Sequence, residues 1–259
     1  DKRRKWNADG QEKDPRWLAR VRGLKPETAI NSVIGASLYK ACIGKALTWW
    51  SKKYATIGVD PALTGTDDMV LSAFESGKLI DELVIAKCEA PEACGQIAAF
   101  QKRLFPMGGC SVVVDCDGLG APIAQFYRQM KPDNVHLEEF HGSSTDRELV
   151  SVEYANHRAE AAFYARERMI AGHICLDDND QSFEEAINEQ YFVNNRGKIQ
   201  LEDKDEIRER LGRSPNRWDA RKLGIWGFKT AQAIRKAEGW DEIESQGIMR
   251  PAASSYMAV

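Results

Sequence analysis

The chain has 259 residues with a formal net charge of −3, and 43% of them are hydrophobic and 29% charged. This length suits one sizeable domain with appended segments or two small domains, and the composition is that of a globular protein with a substantial core. No run of about 18 apolar residues exists, which excludes a predicted membrane-spanning helix. The net charge does not decide whether the chain binds nucleic acid, because a carboxylate cluster would offset local basic residues.

Cysteine and histidine patterns argue against disulfides and zinc. The six cysteines contain no C-x-x-C pair, so we expect reduced thiols. The four histidines form no H-E-x-x-H set, which argues against a zinc site. The cysteines are Cys42, Cys88, Cys94, Cys110, Cys116 and Cys175.

The opening of the chain, residues 1–53, begins with a charge run and a polar stretch that predict a poorly packed start. Residues 26–50 have a helical spacing of apolar side chains. The pair Gly44-Lys45 does not form a nucleotide-binding P-loop, because that motif requires glycine where Tyr39 stands and Ser or Thr where Ala46 stands. The chain therefore has no ATPase motif.

From residue 54 onward, strand patterns dominate. Residues 55–60, 69–74 and 79–87 are predicted strands, with a tight turn at 75–78. A helix is predicted from Pro91, followed by a buried strand at 111–115. The three early strands predict an antiparallel meander.

The second half alternates helices and short strands. Predicted helices end at Met130, span 156–171 and 183–191, and begin at Ser214-Pro215, where a capping residue precedes proline. Predicted strands lie at 135–140 and 198–202. This order indicates an α/β protein of the RNase H-like type, with a mixed central sheet of three antiparallel strands followed by parallel strands, flanked by helices.

Three aspartates stand out by their positions. Asp60 ends the first predicted strand, Asp115 ends the buried fourth strand, and Asp219 lies one turn into the late helix. On that helix Leu223 and Trp226 continue the face of Asp219, so we expect that face to pack inward. Carboxylates at strand ends are unfavourable unless they are solvated, hydrogen-bonded or bound to a cation. Turn and cap preferences would explain each aspartate singly, whereas their joint occurrence favours a shared site.

Three hard oxygen donors without a soft ligand select Mg²⁺ or Mn²⁺, bound as one or two ions. Two ions about 4 Å apart could activate water and stabilise the leaving oxygen of a phosphodiester. Asp67 is a further candidate ligand, although a solvated loop acid is an alternative interpretation.

These residues resemble motifs of a known family. Residues 57–62 with Gly65 and Asp67, residues 112–115 with Gly118 and Gly120, and residues 212–215 before Asp219 are similar to the nuclease motifs of the large terminase subunit of tailed bacteriophages. The likeness covers about residues 54–228 and includes Asn156, Arg158 and residues 201–204. Residues 216–218 depart from the family pattern, which often has an acidic residue and a small one there.

The resemblance implies an enzyme that cuts concatemeric viral DNA during genome packaging, with the three aspartates binding the metals. It implies double-stranded DNA, the small terminase subunit and the portal as partners, and the host cytoplasm as location. Residues 1–53 would be a linker, with the remnant of an upstream ATPase motor as a further interpretation, and the start at Asp1 fits a fragment. Residues 54–228 would form the nuclease domain and residues 229–259 a mobile tail.

Basic residues surround the last aspartate. Cations beside a metal site could grip the phosphates that flank the cut bond, and we expect this role for Lys204 and Arg213. The alternative is a solvated helix face, because acidic residues are interleaved with the basic ones.

Two other functions compete with the terminase interpretation. Another RNase H-like nuclease, such as a junction resolvase, would share the acids, but the Gly-x-Ser-Pro turn at 212–215 favours the terminase. An actin-like nucleotide-binding protein would share the topology, yet residues 61–66 match its phosphate loop only in part. A pure assembly module is disfavoured, because all three acids are retained.

Overall fold

The computed structural model of the chain describes residues 31–47, 54–62, 67–86, 88–106, 109–118, 120–146 and 150–237. Within these ranges the strands are β1 (Ala55–Asp60), β2 (Met69–Glu75), β3 (Lys78–Ile85), β4 (Cys110–Asp115), β5 (Val135–Phe140), β6 (Tyr191–Val193) and β7 (Ile199–Leu201). The helices are α1 (Ala36–Lys40), α2 (Ala90–Leu104), α3 (Gly120–Met130), α4 (His157–Ile170), α5 (Asp180–Asn188), α6 (Lys204–Leu211) and α7 (Asn216–Ala237).

Five strands form one mixed sheet in the order β3-β2-β1-β4-β5. β1 to β3 are antiparallel neighbours, while β4 runs parallel to both β1 and β5. A separate antiparallel hairpin joins β6 to β7. The mixed sheet, with its antiparallel strands first and its parallel strands later, confirms the fold class expected from the sequence. Because β1 and β4 are parallel neighbours, their carboxyl ends lie at the same edge.

Both faces of the sheet are covered by helices. Ile57 and Val59 of β1 point to one face and share a buried cluster with residues of α2 and α3. Successive side chains of a strand point to opposite faces, so Gly58 lies on the other face, which α7 covers. The site described below therefore lies where α7 meets the ends of β1 and β4.

Glycines let α7 approach the sheet closely. A Cβ atom at Gly58 would lie 2.0 Å from the carbonyl oxygen of Ala220 and 2.2 Å from the amide nitrogen of Gly224. The Thr56 hydroxyl donates to the carbonyl oxygen of Gly224 at 2.7 Å. Backbone contact of this kind is possible only where both side chains are missing or small. The register of α7 on β1 is thereby fixed, and with it the height of its first turn above the sheet edge.

The segment at 31–47 packs against the expected nuclease domain. Val33, Ile34 and Tyr39 are at most 1% exposed and share a core cluster with residues of α4 and α7. The fully buried Arg221 donates through Nη1 to the Tyr39 hydroxyl at 3.0 Å and through Nε to Oε2 of Glu82 at 2.7 Å. This part of the expected linker therefore contributes to the core, because its apolar side chains complete the cluster beside α7.

Several element boundaries differ from those expected. α5 begins at Asp180, three residues early, because the Asn179 side chain accepts from the amide of Ser182 at 2.9 Å and caps the helix. α6 and β6 were not predicted, and in residues 31–47 the helix is limited to α1. α7 continues to Ala237, nine residues beyond the expected domain boundary. The expectations for residues 1–30, 48–53 and 238–259 lie outside the described residues.

All six cysteines are buried and free, as expected for reduced thiols. Among the described residues, no helix is long and apolar enough to cross a membrane.

Candidate active site

Three carboxylates meet at the carboxyl edge of the sheet. Asp60 is the last residue of β1, Asp115 is the last residue of β4, and Asp219 lies in the first turn of α7. All three line one cavity of about 230 Å³, together with Asp67 and Lys204. The structure thus brings together the three aspartates that the sequence singled out.

The start of α7 is positioned by a compact turn. α6 ends at Leu211 and is capped by Gly212, whose backbone is left-handed with φ at 72°, a conformation that favours glycine. The Ser214 hydroxyl then donates to Oδ2 of Asp67 at 2.8 Å, and the amide of Asp219 donates to the carbonyl oxygen of Pro215 at 2.9 Å.

The face of α7 that carries Asp219 is buried along its length. Asp219, Leu223 and Trp226 are 6%, 5% and 4% exposed. The inward-facing stripe that the sequence predicted is therefore present, and it directs a carboxylate toward the ends of β1 and β4.

A lysine ammonium lies among the three acids. Lys204 Nζ is 3.2 Å from Oδ2 of Asp219 and 3.5 Å from Oδ2 of Asp115. The pKa of Lys204 is raised, first by Asp219 and then by Asp60 and Asp115, against the opposing effect of burial. The side chain therefore stays protonated and acts as an internal counter-ion for the cluster.

The three acids differ in how well their charge is compensated. Burial raises the pKa of Asp60 well above its usual range, and the charges of Asp219 and Asp115 raise it further. Burial likewise raises the pKa of Asp115, although Lys204 opposes it. Burial would also raise the pKa of Asp219, but Lys222 and Lys204 outweigh it and hold that pKa below its usual range. Asp60 is therefore the least stabilised anion of the three.

A second lysine contacts the other carboxylate oxygen of Asp219. Lys222 Nζ lies 2.7 Å from Oδ1 of Asp219 and also contacts Oε1 of Glu189. Glu189, which is 1% exposed, in turn accepts from Nε1 of Trp218 at 3.2 Å. The sequence reasoning did not include Lys222 or Glu189. The spacing of Asp219 and Lys222, three residues apart on one helix face, was the available signal for the first.

Asp67 lies at the wall of the same cavity, but its oxygens are engaged. It accepts from Ser214 and also from Nη2 of Arg208 at 3.3 Å. Its role as a metal ligand stays a prediction. Asp117 also lines the cavity and is held by Ser143, whose amide and hydroxyl donate to it at 2.6 and 3.0 Å.

The two basic residues expected to contact DNA lie in different places. Lys204 is within the acid cluster, whereas Arg213 pairs with Glu184 and lies 3.6 Å from Oε1 of Glu185. Arg213 lines a separate depression with residues of α5. A phosphate contact by either residue stays a prediction, and for Arg213 it would require release from two carboxylates.

The donor set fits a hard divalent cation after one rearrangement. Among the described residues, no three His, Cys, Asp or Glu side chains are already grouped as a metal site. The cluster nevertheless offers only carboxylate oxygens, which Mg²⁺ and Mn²⁺ prefer, and the place between Asp115 and Asp219 holds the Lys204 ammonium. A cation that bound all three acids would have to displace Lys204.

A second cavity of about 290 Å³ adjoins the first and shares Asp115, Asp117, Lys204 and Asp219 with it. It extends away from Asp60 toward the start of α4. Because the two cavities share four lining residues, a ligand longer than one phosphate group could lie along both.

Comparisons with known proteins point to one group of structures. No family model and no curated protein matches the chain. The nuclease domain of the large terminase subunit of bacterial virus Sf6 matches with a TM-score of 0.64 and 19% identity, over 75% of this chain and 98% of that domain.

Two further matches were determined with metals bound. A mutant of the Sf6 domain with manganese and beta-thujaplicinol has a TM-score of 0.65 at 18% identity, over 75% of this chain and 98% of that one. The large terminase nuclease of thermophilic phage G20c with magnesium has a TM-score of 0.54 at 14% identity, over 78% of this chain and 98% of that one. The resemblance found in the motifs thus extends to the whole fold, and the chain has the fold of the nuclease domains of phage large terminase subunits.

Proposed function

We propose that this chain is a metal-dependent endonuclease that hydrolyses DNA phosphodiester bonds and cuts concatemeric viral DNA during genome packaging. The observation that carries the proposal is the convergence of Asp60, Asp115 and Asp219, from two parallel strand ends and one helix, on a single cavity. The fold supports it, since the matched structures are terminase nuclease domains.

The proposed cofactor is Mg²⁺ or Mn²⁺, held by Asp60, Asp115 and Asp219. Matched nuclease domains were determined with manganese and with magnesium. Such a metal, as one ion or a pair, supplies a more acidic water and neutralises charge on the reacting phosphate. Asp60 is suited to the role of ligand, because its buried charge is the least compensated and gains most from a cation.

Lys204 has two successive roles in this proposal. Without metal, its ammonium neutralises Asp115 and Asp219 and keeps the acids together. If a metal displaced it, the ammonium would be free to take a DNA phosphate oxygen as its partner in place of the carboxylates, since Lys204 lines both cavities. Lys222 stays beside Asp219 and keeps that carboxylate ionised and oriented.

Double-stranded DNA is the proposed substrate, and the small terminase subunit and the portal are the proposed protein partners. These partners and a location in the host cytoplasm follow from the motif resemblance. The mixed charge of the site agrees with a DNA substrate, because Lys204 and Arg208 line the same cavity as the acids.

Plasmid cleavage tests the proposal directly. The purified chain should nick or linearise supercoiled plasmid with Mn²⁺ or Mg²⁺ and leave it intact in EDTA. The exposed Asp133 provides a matched control, since Asp133→Asn removes the same charge just before β5, whose first residue pairs with Cys110 at the end of β4 away from Asp115. Equal cleavage in EDTA, or no cleavage under any condition, would refute the assignment.

A further inference from the structure

The second cavity is lined by a cationic side chain with two hydrogen-bond donors that no described residue uses. Arg158, in the first turn of α4, has a side chain that is 19% exposed and lines the 290 Å³ cavity. Its Nη1 donates to the carbonyl oxygen of Glu202 at 3.1 Å. Its Nε and Nη2 have no hydrogen-bond partner among the residues that the structure describes. Buried donors of a charged group are costly to leave unpaired, so this guanidinium calls for an anionic partner.

The nearest acid is not available to satisfy Arg158. Oε1 of Glu189 lies 3.9 Å from Nη2 of Arg158, beyond hydrogen-bond distance. Glu189 is already shared between the Lys222 ammonium and the Trp218 indole. The charge of Glu189 therefore stabilises the charge of the guanidinium, but Glu189 accepts no hydrogen bond from Nε or Nη2 of Arg158.

The position of Arg158 is fixed by backbone contacts. Its amide donates to the carbonyl oxygen of Gly142 at 2.9 Å, and the Asn156 side chain caps α4 by accepting from the amide of Ala159 at 3.0 Å. These bonds tie the start of α4 to the loop that follows β5. The guanidinium thus belongs to a cavity wall that is formed by a helix terminus rather than by a free loop.

The other walls suit a nucleotide of a DNA strand. Apolar side chains of Phe140, Ala161 and Leu223 line the cavity, while Asn156 and Ser143 add polar groups. Such a mixture can take a deoxyribose against the apolar side chains and a phosphate against the guanidinium. The cavity is continuous with the acid cluster through Asp115 and Asp219, so one strand can occupy both.

We propose that Arg158 binds the phosphodiester group next to the one that is cut, on the same DNA strand, through a two-pronged contact of its guanidinium. The inference rests on the proposed nuclease function and adds a second phosphate subsite to it. Guanidinium groups bind phosphate oxygens in pairs, which a lysine cannot reproduce. Arg158 would therefore set the position of the strand relative to Asp60, Asp115 and Asp219.

The test measures binding of a short DNA duplex in Ca²⁺ over a series of salt concentrations, with Arg158→Gln, Arg158→Lys and the control Arg103→Gln. Arg103 lies on α2, on the other face of the sheet, and pairs with Asp81. We expect Arg158→Gln to weaken binding roughly tenfold to a hundredfold and to reduce the slope of log K against log salt by about one. Arg158→Lys should keep the slope and lose part of the affinity, and Arg103→Gln should behave as wild type.

Metal binding is measured separately, as the rise in melting temperature on adding Mn²⁺. We expect Arg158→Gln to keep this rise, because the residue contacts DNA and not the metal. Wild-type affinity and a wild-type salt slope in Arg158→Gln would overturn the inference. Loss of the Mn²⁺ effect in both Arg158→Gln and Arg158→Lys would overturn it as well. If Arg158→Gln does not fold, wild-type affinity in Arg158→Lys overturns the two-pronged contact. A wild-type chain that binds the duplex through Arg158 but never cuts it would refute the nuclease proposal alone.

Discussion

The ammonium of Lys204 lies 3.2 Å from Oδ2 of Asp219 and 3.5 Å from Oδ2 of Asp115, between a helix carboxylate and a carboxylate that ends a strand of the sheet. The protein therefore carries its own cation at the place where a divalent ion is proposed to bind. Metal binding is then an exchange of cations, and its strength depends on the cost of displacing the lysine.

The three aspartates should respond differently to removal of their charge. We expect Asp60→Asn, Asp115→Asn and Asp219→Asn each to reduce plasmid cleavage to background, because a neutral amide is a poor ligand for Mg²⁺ or Mn²⁺. In EDTA at neutral pH, Asp60→Asn should raise the melting temperature, since folding raises the pKa of Asp60 and disfavours its charged form. Asp219→Asn should lower the melting temperature, because Lys222 and Lys204 stabilise that carboxylate.

Cleavage and melting are measured on the same preparations, so that loss of activity can be separated from loss of fold. Any one variant that cuts at the wild-type rate removes its residue from the site. A lower melting temperature for Asp60→Asn than for Asp219→Asn would contradict the electrostatic order of the acids.

Replacing the ammonium of Lys204 should make the protein bind the divalent metal more tightly. Lys204→Met keeps an unbranched side chain but leaves Asp115 and Asp219 without this ammonium. We expect the variant to melt at a lower temperature than wild type in EDTA and to gain more stability from Mn²⁺. Differential scanning fluorimetry over a Mn²⁺ series measures both. An equal Mn²⁺ effect in the two proteins would show that Lys204 does not compete with the metal.

The close approach of α7 to β1 gives a prediction that depends on steric fit and not on charge. Gly58→Ala would place a methyl group 2.0 Å from the carbonyl oxygen of Ala220, so the helix must move outward. We expect a loss of about 1–3 kcal/mol in the free energy of unfolding, measured by urea titration, and a fall in cleavage rate as Asp219 shifts with the helix. Gly95→Ala on α2, where nothing lies within 4 Å of the added carbon, is the matched control: it should keep the wild-type cleavage rate and gain up to about 1 kcal/mol of stability, because alanine favours a helix interior more than glycine does.

How far the sequence predicted this site is clearest from the acids and their cations. Asp60 and Asp115 were predictable because an apolar strand that ends in a carboxylate is a local pattern, and parallel pairing of β1 and β4 then brings the two together. Asp219 followed from the periodicity of its helix face. The place of Lys204 did not follow, because it depends on α6, a short helix with mixed charge and a weak apolar pattern.

The unpaired donors of Arg158 are a second feature that the sequence could not show. They depend on Glu189 being occupied by Lys222 and Trp218, which are distant from Arg158 in sequence. The core contribution of residues 31–47 was missed for a similar reason. Tyr39 finds its partners, Ser182 and Arg221, more than 140 residues later in the chain.

A buried histidine gives the chain a pH dependence that can be measured without metal. His157 stacks on Phe140 with ring centroids 4.4 Å apart and meets Trp226 edge to face at 4.8 Å. Burial lowers the pKa of His157 below its ordinary value of 6.5. The charge of Glu160 and a hydrogen bond to the His141 backbone raise this pKa, whereas the charges of Lys229 and His141 lower it.

The unfolded chain therefore binds a proton at this position more readily than the folded protein does. Stability from His157 is complete above pH 6.5 and is lost as the pH falls from 6.5 through the lower folded-state pKa. His157→Phe keeps an aromatic ring between its neighbours and removes the titration. We expect wild type to lose more stability than the variant between pH 7 and pH 5, by urea denaturation. Parallel pH profiles would show that His157 is not the group responsible.

The contact of Gly58 with α7 also determines how the protein opens. The backbone of α7 lies directly on β1. The helix therefore cannot separate from the sheet without exposing buried residues, among them Ile225 and Phe228 of α7 and Thr56 of β1. Amide protons in the middle of α7 should then exchange with solvent only through global unfolding, at the slow end of the range for the molecule. Asp219 belongs to that cooperative unit, so heat should inactivate the protein in the same transition that melts it.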